Sequence, residues 1–142
     1  GNTGSAGMKH IGLAGNRLGP KSMRELERVV KDVPQITSLS LERNPLGPNG
    51  AFALVPVLKI TYDLEVLRLG ECGLGPDGAA DLAEGLLHVK RLHELSLECN
   101  QLGPEGARSL VPALQHTPEL TNVDLSWNGL GQEGVRTVAL GL

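Results

Sequence analysis

Apolar residues recur along this chain on a fixed template. From Leu92 the order is Leu92, Leu95, Leu97, Asn100, Leu102, which spells L-x-x-L-x-L-x-x-N-x-L. The template begins again at Ile36 (ITSLSLERNPL), Leu64 (LEVLRLGECGL) and Leu120 (LTNVDLSWNGL), and in a weaker copy at Met8 (MKHIGLAGNRL). Successive starts lie 28 residues apart. Self-similarity at a constant period means one supersecondary unit stacked on copies of itself. The chain divides into five units, 8–35, 36–63, 64–91, 92–119 and 120–142, after a small polar segment, Gly1–Gly7. That segment reads as a disordered lead-in or a remnant of expression.

Two hydrophobic periods alternate inside each unit. The first is two: Leu39 and Leu41 face one way, and Ser38, Ser40 and Glu42 the other, as in a strand with one buried face. A turn follows, marked by Asn16, Asn44, Asn100 and Asn128, with Cys72 in the third unit. A buried asparagine can satisfy turn backbone that has no ladder partner. The second period is helical. Ala107, Leu110, Val111 and Leu114 form one stripe, and Ala79, Leu82, Ala83 and Leu86 another. Leu-Gly-Pro at Leu46, Leu74 and Leu102 opens these helices, because proline suits a first turn whose N–H groups are unpaired. The first unit departs, with Glu27 in the stripe and Ser22 where the others carry Gly50, Gly78, Gly106 and Gly134. Pro56 and Pro112 fall mid-helix, where each is expected to bend or end its helix. The last unit stops inside its helix at Leu142, which predicts a piece of a longer array or an end covered by a partner copy.

With these residues laid out, the chain resembles the ribonuclease-inhibitor-type leucine-rich repeats, L-x-x-L-x-L-x-x-N-x-L-G-x-x-G followed by an amphipathic helix. The resemblance spans Met8 to Leu142, and the uniform units are similar to the arrays of NOD-like receptors and related intracellular scaffolds. It implies an α/β solenoid, curved, with parallel strands on the concave side and helices on the convex side. It also implies protein binding on the concave face and carries no catalytic residue onto this sequence.

Composition fits thin leucine layers. Apolar residues make up 40% of the chain and aromatics 2%, with one Trp, one Tyr and one Phe. The formal net charge of −3 argues against nucleic acid, which asks for a basic stripe. No apolar run reaches the roughly 18 residues that span a bilayer, and no secretory signal is visible, so a membrane partner is not expected. Cys72 and Cys99 do not make a disulfide framework, which favours a reducing, cytoplasmic setting.

The candidates for chemistry are weak. Gly73-x-Gly75-x-x-Gly78 and Gly129-x-Gly131-x-x-Gly134 spell the dinucleotide fingerprint. The repeat explains them, since the last two glycines recur at Gly47 and Gly50 without the first. His10, His88, His93 and His116 show no metal-ligand spacing. Cys72 and Cys99 point to opposite faces, so a bridge is not expected. No nucleophile, base and orienting group fall together. The reading is therefore a protein without enzymatic activity, metal or cofactor.

The informative set is the outward strand positions. Glu42, Glu71, Glu94, Glu98 and Asp124 stand there against Arg43 and Arg68. Packing asks for no acids at these places, so the excess points to a protein partner with a basic patch. Trp127 lies at the exit of the fifth strand, outside the leucine pattern; it is either an interface anchor or packed over the neighbouring turn near Cys99. The expected function is a protein-protein interaction module, with Trp127 as anchor. The alternatives are a regulator of a small GTPase, similar to Ran GTPase-activating proteins, and a structural fragment of a larger innate-immune-type receptor. Uncapped ends add possible self-association.

Overall fold

The computed structural model describes residues 7–142. Five strands alternate with five helices: β1 (His10–Gly12), α1 (Pro20–Asp32), β2 (Ser38–Ser40), α2 (Gly47–Ile60), β3 (Val66–Arg68), α3 (Gly75–Leu86), β4 (Glu94–Ser96), α4 (Gly103–Leu114), β5 (Asn122–Asp124) and α5 (Gly131–Gly141). The strands pair in parallel in the order β1-β2-β3-β4-β5. The register is that of the sequence period: His10 lies beside Ser38, Ser38 beside Val66, Val66 beside Glu94, and Glu94 beside Asn122. Each helix packs on the next, so the fold is an α/β solenoid.

The leucines of the template are the spine. Leu39, Leu41, Leu67, Leu69, Leu95 and Leu97 are fully buried, and so are Ile36, Leu64 and Leu92. Burying each such side chain contributes about 1.5–3 kcal/mol. Leu54, Leu82 and Leu110 close the layer from the helix side. Glycine at the second helical turn is required by space. At Gly106 a Cβ would meet the Leu102 Cβ at 2.8 Å. In α1, Ser22 stands at this place and its hydroxyl accepts the Gly19 N–H at 3.2 Å.

The turn asparagines form a ladder between units. Asn100 Oδ1 accepts the N–H of Cys72 at 3.0 Å and of Leu74 at 3.2 Å, while its Nδ2 donates to Leu69 O at 2.8 Å and Leu97 O at 3.0 Å. Asn128 repeats these bonds one unit later, and Asn44 two units earlier. The ladder breaks once. Cys72 reaches Leu41 O through its thiol at 3.2 Å but offers no oxygen, and Leu46 N turns to Asn44 O at 2.8 Å.

Pro56 and Pro112 do not end their helices: α2 continues to Ile60 and α4 to Leu114. The carbonyl of Pro112 near the end of α4 bonds His116 Nδ1 at 2.8 Å instead of a helical N–H. Of the lead-in expected to be disordered, Gly7 is an exposed turn residue, and residues 1–6 lie outside the described residues.

Candidate protein-binding face

The register sorts the outward side chains into columns that cross the strands. His10, Ser38, Val66, Glu94 and Asn122 form the first, and Gly12, Ser40, Arg68, Ser96 and Asp124 the second. Just beyond the strands, the same spacing gives Ala14, Glu42, Gly70, Glu98 and Ser126, then Gly15, Arg43, Glu71, Cys99 and Trp127. The fold therefore brings every candidate residue to one surface.

Their states differ. Arg68 donates from Nε and Nη2 to Glu94 Oε2 at 3.2 and 3.1 Å, so these two charges offset each other across β3 and β4. Glu98 leans into the gap over Gly70, where its Oε1 occupies the space of the missing side chain. Glu42 and Glu98 are half-buried, and Glu42 Oε1 and Glu98 Oε2 have no hydrogen-bond partner among the described residues. Ser40, expected to face out, is nearly covered. Asp124 is exposed, and hydrogen bonds from Ser126 hold its carboxyl below the usual carboxylate range. Arg43 and Glu71 are exposed and make no ion pair among the described residues.

Trp127 is 83% exposed, so it does not pack over the turn beside Cys99. Its backbone is left-handed, with φ of +59°. Arg43, Glu71 and Cys99 share this conformation, at φ of +58°, +55° and +58°, and Gly15 holds the place in the first unit at +68°. An L side chain there is strained by about 1–2 kcal/mol. The conformation was missed from sequence, although Gly15 in the same column was an available signal.

The other candidates find structural uses. Cys72 and Cys99 are free thiols. Burial pushes the Cys72 thiol up to about 11. The N–H groups of Cys72, Leu74 and Gly75 are taken by Asn100 and that of Gly78 by Leu74 O, so these donors in and beside the Gly73–Gly78 turn are committed to the fold and not to a phosphate. Among the described residues, no three His, Cys, Asp or Glu side chains gather to hold a metal ion, and no helix is long and apolar enough to cross a membrane.

Comparison with known proteins agrees with this geometry. The profile described as "Leucine Rich repeat" matches residues 35–55, 63–83, 91–111 and 118–139, more than half of the chain. No match is found among curated proteins. Among solved structures, the chain is similar to the tropomodulin C-terminal domain from Caenorhabditis elegans, at 19% identity and a TM-score of 0.76, over 96% of this chain and 83% of that one. It is also similar to Leiomodin-1 Actin-Binding Site 2, at 14% identity and a TM-score of 0.77, over 94% of this chain and 78% of that one. These identities speak for the fold alone, and likeness to the ribonuclease-inhibitor or NOD-like subtype is not among these matches. On the four matched segments, the chain belongs to the leucine-rich repeat family.

Proposed function

We propose that this chain is a non-enzymatic protein-binding module whose concave sheet face docks a partner through a basic patch. The observation that carries the reading is Trp127: a large apolar side chain, 83% exposed, on a left-handed backbone. Neither burial nor local conformation favours an indole there, whereas exposed aromatics of this kind are the usual anchors of interfaces. Asp124 and Glu98 lie in the units nearest Trp127 and make no ion pair among the described residues, Glu71 and Glu42 stand farther along the face with Arg43 next to them, and Glu94 and Arg68 pair with each other. The acids would steer a basic partner, and the indole would hold it.

Affinity capture on the immobilised chain tests this. Proteins retained at low salt should be lost at high salt and lost again on a Trp127→Gly column of equal folding. Retention indifferent to both would contradict the reading. Actin enters as one probe, because a structure sharing the fold is an actin-binding site. A small GTPase whose nucleotide turnover rises on adding the chain would replace this reading with a regulatory one.

A further inference from the structure

We propose that the outer side of α2 and α3 is a second docking surface, which takes an amphipathic helix of a partner protein with lysine or arginine along one flank. α2 supplies the apolar ground. Its sequence, GPNGAFALVPVLKI, holds one charge, Lys59 in the last turn. Ala51, Leu54, Val55, Val57 and Leu58 turn inward and are buried. The outward side is apolar too: Phe52 is 68% exposed, and Ala53, Pro56 and Ile60 are partly exposed. A helix with one side in water ordinarily shows polar residues there, and an apolar patch on that side marks an interaction site. The fold does not ask for the ring. At the place of Phe52 the other units carry Arg24, Ala80, Arg108 and Arg136.

α3 supplies the charge. Asp77, Asp81 and Glu84 follow one another at helical spacing, and the helix contains no base. None of the three makes an ion pair among the described residues. Asp77 suits the first turn, but like charges at this spacing work against a helix, and Glu84 falls in the last turn, where the dipole opposes it. Burial, together with the charges of Glu84 and Asp77, holds the Asp81 carboxyl above the ordinary carboxylate range. The apolar and acidic features meet at one seam. Gly78 of α3 lies against Ala51 of α2, and Gly85 against Leu58 and Val55. Asp81 stands one turn from each of those glycines, and Phe52 follows Ala51. Beyond α3 the apolar ground resumes in a groove between α3 and α4, lined by Ala83, Leu87, Pro112 and Ala113 with Glu84 on its wall. A helix laid over the seam would cover Phe52 and Pro56 with its apolar stripe and set its basic flank against the acids. Charge selects this occupant. A second copy presenting the same face would set acid against acid, and anionic lipid would be repelled. The surface lies on the helix side, apart from Trp127, and does not rest on the reading of the sheet face.

Anisotropy titration with two fluorescent amphipathic peptides of equal length tests this, one of leucine and lysine, the other of leucine and glutamate. Trp127→Gly serves as the host, so that the sheet face lacks its anchor. The lysine peptide should bind and the glutamate peptide should not. Phe52→Ser in that host should weaken binding about tenfold or more. Asp81→Asn with Glu84→Gln should weaken it as well and reduce its dependence on salt. Phe52 is largely exposed and the acid replacements remove like-charge repulsion, so the melting curves should match the host or rise. No binding of the lysine peptide, equal binding of the two peptides, or affinity indifferent to Phe52→Ser would overturn the proposal. So would binding present in the parent but absent from the host, which would place the peptide on the sheet face. Self-association of the parent, or its capture by neutral or anionic vesicles, that disappears with Phe52→Ser would give the surface to a second copy or to lipid and overturn it too.

Discussion

Trp127 occupies a backbone conformation that costs an L side chain about 1–2 kcal/mol, and glycine about nothing. Trp127→Gly should therefore melt at the parent temperature or higher, with up to about 1 kcal/mol of added stability. The same substitution should weaken partner binding by about 2 kcal/mol or more if the indole is the anchor. Thermal melts and a binding titration on one preparation check both. A drop in stability would mean that the indole supports the fold. Cys72 is the second informative residue, because it interrupts the asparagine ladder. Cys72→Asn supplies an acceptor for the N–H groups of Asn44 and Leu46 and should stabilise the fold by about 1 kcal/mol. Denaturant unfolding would show it; a lower midpoint would mean that the pocket fits only sulfur. The thiol also sets a pH limit. Its folded-state value of about 11 lies above the ordinary 9.0, so the neutral form is favoured by folding. Its contribution is complete below about pH 9 and is lost as pH rises through 11. Parent stability should fall across that window, and the fall attributable to this group should vanish in Cys72→Asn.

At the scale of elements, each strand is only three residues long and stands because its central apolar residue (Ile11, Leu39, Leu67, Leu95 or Val123) enters a layer shared with the helix behind it. Leu97 is fully buried between β4 and its neighbours. Leu97→Ala should cost about 2–5 kcal/mol through the cavity it leaves, and calorimetry would reveal an unmoved melting point if that burial were wrong. Such positions were legible in the sequence, because an inward place tolerates only apolar residues and its spacing follows from strand geometry. Helix starts were legible for a similar reason, since Gly-Pro at Gly47, Gly75 and Gly103 answers a local demand on the backbone. The outward columns were legible as positions but not as states. Nothing in the spacing says that Arg68 turns to Glu94 rather than to Glu98, or that Glu98 folds over Gly70. Those choices depend on what each side chain finds in the next unit. From the sequence Pro56 is expected to bend or end α2; the helix does not end there, because the burial of Val55, Val57 and Leu58 offsets the missing hydrogen bond.

At the scale of the molecule, the units make a spine whose interior is committed to structure and whose sheet face is not. Stability in such an array is close to a sum of unit and junction contributions. Residues on the sheet face can therefore be varied for recognition at small expense to folding, and the acids and the indole occur there. The chain holds a single tryptophan, so its fluorescence reports Trp127 alone. The most direct test of the docking face is quenching of that emission by a soluble quencher, with and without a captured protein. The account predicts a freely quenched, solvent-like indole in the unbound chain, and a blue-shifted, protected one in the complex. An indole shielded in the unbound chain, or one quenched as freely in the complex as before, would contradict it.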